Sequence, residues 1–353
     1  MTARFLFSAN YLKVCYNKPY KTKTEDIMDY SQILSQQFNI KEEYAKNIIT
    51  LLDDGNTIPF IARYRKEMHG SMDDQLIREF AEKLEYLRGL DKRRDEIRSL
   101  IDAQEKLTDE INLALDKAAT LSELEDIYRP YRPKRKTRAS IAKEKGLEPL
   151  ANDILKQEKG FDPSKSAADY IDEEKGVTSV EDAIQGAMDI IAELVSDNAE
   201  IRKRIRNLTN ANGVLVSVAT DEEKDSVYKN YYDYKEPVKK IAGHRVLAVN
   251  RGEKEGFLKV SVETDSEKPL NSIFRAMITD KNQLCSDIIR EACTDAYQRL
   301  IYPSIEREVR NDLTDVAAEN AMKVFAVNLK QLLMQPPVKG KTVLALDPGY
   351  RTG

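Results

Sequence analysis

The chain has 353 residues, room for two or three domains, with 33% charged residues, 7% aromatics and no Trp. Its net charge of -4 excludes attraction of nucleic acid by the field of the whole chain, so any such affinity must come from a local patch. No run approaches the ~18 apolar residues of a membrane span, and Cys15, Cys285 and Cys293 make no metal-binding pattern.

The N-terminal "RFLFSANYLKVCY" has too short an apolar core for a signal peptide. The first 26 residues show no clear period. From Ile27 onward helical spacing dominates. Ile27, Tyr30, Ile33, Leu34 and Phe38 share one face, and Tyr44, Ile48, Ile49 and Leu52 share another, with Gly55 as the stop. Two amphipathic helices joined near Asn39 predict a helical hairpin. Ser71 is the predicted cap of the next helix, whose face carries Leu76, Ile77, Phe80, Leu84 and Leu87. "TLSE" (Thr120, Glu123) and "TSVE" (Thr178, Glu181) repeat the start signal. The second opens one long helix through Ile205, ending at "TNANG". "GVLVSVA" and "FLKVSVE" alternate like short strands but make a weak case, and "KDSVYKNYYDYKEPVKKI" between them reads as a tyrosine-rich helix ended before Pro237. Pro303 to Met334 predicts one helix of about 45 Å at ~1.5 Å per residue. On that helical background Cys285 and Cys293, eight apart, lie about 12 Å from each other, too far for a disulfide. A reducing, cytoplasmic setting is expected.

One stretch stands out for chemistry. Residues 129–138 carry Arg129, Arg132, Lys134, Arg135, Lys136 and Arg138 with no acid, between Tyr128, Tyr131 and two prolines. Proline holds such a segment extended, so its guanidinium groups present a face suited to phosphate, with tyrosine rings available for stacking. The competing reading is a solvated loop, or one whose arginines pair with acidic helix faces. Ser140 is the predicted cap of a short helix ending at Gly146.

"GNTIPFIARYRKEMHGSMDDQLIREF", "LSELEDIYRPYRPKRKTRASIAKEKGLEPLA", "HRVLAVNRGEKEG" and the terminal "LALDPGYRTG" together resemble the bacterial Tex family of transcription accessory proteins, from about Met28 to Gly353. The resemblance implies a mainly α fold. Residues 28–208 would form a helical N-terminal domain with helix-turn-helix-like elements. Residues 209–336 would form a central helical region with a long helix. Residues 341–353 would be the first strand and turn of an RNase-H-like domain of the YqgF type, cut short there, and residues 1–27 a disordered leader foreign to the family. It also implies a non-catalytic nucleic-acid binder, of RNA or DNA, that scaffolds the transcription machinery such as RNA polymerase, with no cofactor and no membrane association. The alternative is a pure protein-interaction scaffold whose nucleic-acid binding lies in C-terminal domains.

Arg63, Arg65 and Lys66 in "IPFIARYRKE" offer a second phosphate-facing patch. The interleaving of apolar and basic positions favours a structural corner instead, with the arginines paired to helix carboxylates. His69 is expected to be exposed, and His244 and Arg245 to lock an interdomain contact from a helix stopped by Gly252 and Gly256. Asp347 would be a metal ligand in an RNase-H-like nuclease, but two-metal chemistry needs further carboxylates, so no activity is assigned to it. No P-loop, zinc spacing or Ser/His/Asp set is present.

Overall fold

The computed structural model describes residues 23–279, 282–336 and 339–344, with side chains from Tyr30 onward. The expected leader, apart from its last five residues, and most of the expected terminal strand, Asp347 included, lie outside the described residues. The chain divides into two compact units, Met1–Tyr128 and Arg129–Gly353.

The first unit contains α1 (Lys23–Phe38), α2 (Glu42–Asp53), α3 (Ile58–Tyr64), α4 (Lys66–His69), α5 (Asp74–Asp102), α6 (Asp109–Lys117) and α7 (Leu121–Tyr128). The predicted hairpin is α1 and α2, turned at Asn39 with φ 50° and closed by Gly55 with φ 81°. Leu34, Ile48, Ile49, Ile61, Ile77 and Phe80 are fully buried together, with the Phe38 and Phe80 rings 5.4 Å apart. The cap of α5 is Asp73, which accepts from Leu76 N at 2.8 Å, and not Ser71. Ser71 has φ 63°, whereas a capping residue needs the extended region. His69 is fully buried rather than exposed, because its imidazole Nε2 donates to Ile61 O at 3.1 Å and ties α4 to α3. α5 also serves as the mast for α6: Arg94 donates to Leu115 O and Ala118 O, filling carbonyls that a helix end leaves open.

The second unit continues with a 3-10 turn at Arg129–Tyr131, α8 (Arg138–Glu144), α9 (Glu148–Lys156), α10 (Pro163–Ala168), α11 (Val180–Asp197) and α12 (Ala199–Asn212). It then runs through β1 (Val214–Ala219), β2 (Asp233–Pro237), α13 (Gly243–Lys254), β3 (Leu258–Glu263), α14 (Glu267–Met277), α15 (Gln283–Asp295) and, after a π-turn at Ala296–Ile301, α16 (Tyr302–Leu333). α11 is the spine of its core, with Ala183, Ala187, Ile190, Ile191, Ala192 and Val195 all buried among residues of α8, α9, α10 and α15. A Cβ on Gly186 would stand 2.3 Å from Leu147 Cδ1, so α9 approaches only because that position is bare. Cys285 and Cys293 are buried, unpaired thiols of the same core, and burial pushes Cys293 up to about 12.

Three expectations are corrected here. The single helix read through Ile205 breaks at Asn198, whose extended backbone and Oδ1, accepting from Ile201 N at 3.0 Å, start α12 afresh. The start of α11 lies one residue later than "TSVE" indicates: Ser179 accepts from Asp182 N at 3.1 Å, and Thr178 hydrogen-bonds the Asp182 carboxylate. The tyrosine-rich segment is not a helix. It makes a 3-10 turn at Lys229–Tyr231 and then β2, in which half-buried Tyr234 and Glu236 alternate with exposed Asp233, Lys235 and Pro237. That two-residue period, with bulky aromatics, belongs to a pleated edge strand.

The fold is mainly helical with one small antiparallel sheet, ordered β2-β1-β3, in which the two alternating runs "GVLVSVA" and "FLKVSVE" supply β1 and β3. Its β3 edge would be an open template for pairing, but side chains close it. Val260 N donates to Glu253 and Val262 N to Glu306, while Val260 O accepts from Arg310 and Val262 O from Tyr302. Gly252 lies within α13 rather than ending it, pressed so near Leu258 that a Cβ would meet Cδ1 at 2.5 Å; Gly256, φ 81°, is the actual stop. Arg245 pairs with Glu236 of β2 at 2.9 Å, holding α13 to the sheet within this unit rather than locking an interdomain contact.

The predicted long helix is α16, about 48 Å at ~1.5 Å per residue. Ile305, Val309 and Ala317 are buried, and Gly243 sits against Ala317. Beyond that contact Met322, Phe325 and Leu332 are more than 60% exposed. No helix among the described residues is long and apolar enough to cross a membrane. A bare helical end lacks the packing that sustains most helices. In hydrogen exchange, amides beyond Met322 are expected to exchange about tenfold or more faster than those flanking Val309. Equal protection along α16 would contradict this.

Candidate nucleic-acid interface

The basic segment is fixed in two ways. Tyr128 closes α7 and is buried, its ring under the Arg93 guanidinium at 5.7 Å, so it is not a stacking surface. On the other side of the prolines, Thr137 caps α8 by accepting from Ser140 N at 3.0 Å, and Ser140 Oγ accepts from Thr137 N at 2.8 Å. Thr137, not Ser140, is therefore the cap, with Ser140 closing the reciprocal box. Thr137 Oγ1 also donates to Glu193 at 3.1 Å, tying the segment to α11.

Within the segment the cations divide. Arg129 lies 3.4 Å from Asp197, and Lys134 pairs with both Asp197 and, at 3.3 Å, Glu193. These carboxylates stand in the last turn of α11, against the negative end of the helix dipole, and α11 has no basic residue of its own there. Arg129 and Lys134 supply the missing charge. Arg132, Arg135, Lys136 and Arg138 are exposed, and Tyr131 is half-buried. Lys136 reaches only the exposed Glu144, at 3.6 Å. The Arg135 side chain has no ion pair or hydrogen bond to the described residues. Arg138 works at a distance: burial holds the Asp189 carboxyl above the usual carboxylate range, while the charges of Arg299 and Arg138 pull it back down.

The segment and the end of α11 enclose an open groove of about 720 Å³. Arg132, Lys134, Arg135, Lys136 and Lys143 line it, against Glu144, Glu193 and Asp197, with Leu194, 44% exposed, among the lining residues. Glu193, Leu194, Asp197 and Lys143 were not read from the sequence as part of any site. The available signal was the acidic pair four residues apart in the closing turn of "DIIAELVSD", a place where carboxylates need a cation.

In the first unit Arg63, Arg65 and Lys66 are all exposed. Ile61 is core, but the pairing with helix carboxylates is not formed: Arg65 lies over the Phe60 ring at 5.3 Å, and the Arg63 and Lys66 side chains make no ion pair or hydrogen bond to the described residues. Among the described residues no group of His, Cys, Asp and Glu is placed to hold a metal.

Comparison with known proteins is decisive for kinship. Residues 28–102 match the Tex-like protein N-terminal domain, and residues 158–325 match the Tex central region-like family. The chain belongs to the Tex family. It is 45% identical over 333 residues to an uncharacterized Bacillus subtilis protein, YdcI, covering 92% of this chain and 46% of that one. It is 37% identical over 337 residues to the transcriptional accessory protein Tex of Neisseria gonorrhoeae, covering 92% of this chain and 44% of that one. It is 32% identical over 351 residues to the human S1 RNA-binding domain-containing protein 1, covering 94% of this chain and 35% of that one. The chain thus spans a little under half the length of the bacterial relatives. In this Tex chain the basic segment falls between the two matched regions, and Arg63, Arg65 and Lys66 fall inside the first.

Because Lys134 faces two carboxylates that are 13% and 19% exposed, Lys134→Ala is expected to cost about 1 kcal/mol, roughly 2–4 °C in Tm. Arg135→Ala, which breaks no pair, is expected to stay within about 0.5 kcal/mol. Thermal melts of the two variants check this; equal effects would remove the distinction between inward and outward cations.

Proposed function

We propose that this Tex-family chain is a nucleic-acid-binding part of a transcription accessory protein, working by binding and scaffolding rather than by bond chemistry. Phosphates of RNA, and of DNA, lie in the groove between the basic segment and the end of α11, contacted by Arg132, Arg135 and Lys136, with exposed Arg138 of the same segment adding positive charge outside the groove lining. Arg129 and Lys134 hold the segment in place. The observation that carries the reading is the exposed, unpaired Arg135 in a groove where basic side chains outnumber acidic ones. Guanidinium groups clustered at this density suit phosphate recognition. The relatives' names add transcription and RNA as context, and a cytoplasmic setting with RNA polymerase among the partners follows from the same reading.

The second reading is a scaffold that binds proteins only. The exposed apolar end of α16 favours it, since such a surface suits partner helices better than phosphate.

Salt titration separates the two. Arg132→Ala/Arg135→Ala keeps Arg129 and Lys134, which pair with Asp197, and spares Arg138, whose charge offsets the half-buried Asp189. With a fluorescein-labelled twenty-nucleotide uridine RNA followed by anisotropy, the double variant is expected to bind at least about tenfold more weakly. Its log–log salt slope is expected to flatten by about 1.4, at ~0.7 per phosphate on a single strand. Unchanged affinity and slope, with unchanged Tm, would leave the scaffold reading.

A further inference from the structure

The corner between α3 and α4 is built as a platform with nothing on it. Two buried anchors fix it from beneath: Ile61 and His69 are both fully buried, and His69 Nε2 donates to Ile61 O across the corner at 3.1 Å. Gly70 closes it with φ 66°, its α-carbon so close over the Tyr44 ring that a Cβ would meet Cε2 at 2.6 Å. The residues between the anchors that face outward are Arg63, Tyr64, Arg65, Lys66 and Glu67, all exposed. Tyr64 is 64% exposed, and its hydroxyl has no hydrogen bond to the described residues. Its ring leans on Phe60, with centroids 5.4 Å apart, and the Arg65 guanidinium covers another part of the same Phe60 at 5.3 Å. The aromatic ring is therefore propped in place while much of its surface stays open. Of the charged groups between Ile58 and His69, three are basic and one, Glu67, is acidic.

An exposed aromatic face flanked by cations whose side chains are uncommitted to carboxylates matches the chemistry of a base stacked on a ring with its phosphates held on either side. A carboxylate-rich peptide would use the cations and leave the ring idle. We infer that Tyr64, with Arg63 and Lys66, forms a second single-stranded nucleic-acid site, in the first unit and separate from the groove. It rests on the reading of this chain as a nucleic-acid binder. Tyr64 supplies the stacking surface, Arg63 and Lys66 contact the adjoining phosphates, and Arg65 is a positioning residue that holds Phe60 and, through it, Tyr64. The buried Ile61–His69 tie means that the surface is formed before the strand arrives, so little ordering is lost on binding.

The test uses the full chain and the twenty-nucleotide uridine RNA, with polyglutamate as competitor. Tyr64→Ala is expected to weaken RNA binding at least about fivefold, because stacking contributes that much or more per base. It is expected to leave the salt slope unchanged, since the ring neutralises no phosphate. Tyr64→Phe is expected to stay within about twofold of the parent. Arg63→Ala/Lys66→Ala is expected to flatten the slope by about 1.4. Polyglutamate is expected not to compete at matched charge. The inference is overturned if Tyr64→Ala binds like the parent, if Tyr64→Phe is as weak as Tyr64→Ala, or if polyglutamate displaces the RNA from the parent but not from Arg63→Ala/Lys66→Ala. The groove variant Arg132→Ala/Arg135→Ala is run alongside: loss of binding there, with no effect at Tyr64, removes this site and leaves the groove standing.

Discussion

A carboxylate in the last turn of a helix sits against the negative pole of that helix, and Asp197 holds this position on α11 because Arg129 and Lys134 meet it there. The pairing settles more than a local charge. It fastens a proline-stiffened segment, which has no ladder of its own beyond one short turn, to the most buried helix of its unit. With Thr137 bonded to Glu193, the same helix end also sets the start of α8. Arg129 and Lys134 are consumed in this way, while Arg135 is left exposed with no partner among the described residues. A basic run is often either a structural strut or a solvated face; here the two roles are divided among neighbouring residues.

A similar economy appears at the sheet. Three strands are too few to hide their own edges, and the β3 edge is closed by four side chains that α13 and α16 bring to it. Arg310 makes one of these links, to Val260 O, and pairs with Glu253, which makes another. The first half of α16 is thus bound into the unit by polar as well as apolar contacts, whereas its second half presents Met322, Phe325 and Leu332 to solvent. The helix is therefore packed along its first half and exposed along its second.

Much of the fold was legible because helices write their period into the chain. The hairpin around Asn39 and the long helix from Pro303 followed from three-to-four spacing and from where Gly and Pro fall. The errors came where local chemistry overrode a pattern. Asn198 breaks an otherwise continuous apolar period by capping, and a single polar residue gives little warning of that. Tyr232 to Pro237 carries a two-residue period too short to outweigh its helical neighbours, and its strand identity depends on pairing with β1, which local periodicity does not report. His69 was read as exposed because its partner, a backbone carbonyl, leaves no trace in sequence. For the basic segment, composition pointed to the residues but could not divide them: the partners of Arg129 and Lys134 lie more than fifty positions away, on α11.

The division of labour within residues 129–138 is the centre of this account, and arginine side-chain resonances report on it directly. In a titration of the chain with a twelve-nucleotide uridine RNA, the Nε–Hε signals of Arg132 and Arg135 are expected to shift and saturate, while Arg129 stays in place beside Asp197. A shift at Arg129 with Arg132 and Arg135 silent would contradict it, because the strand would then meet the cation that pairs with Asp197 in the fold.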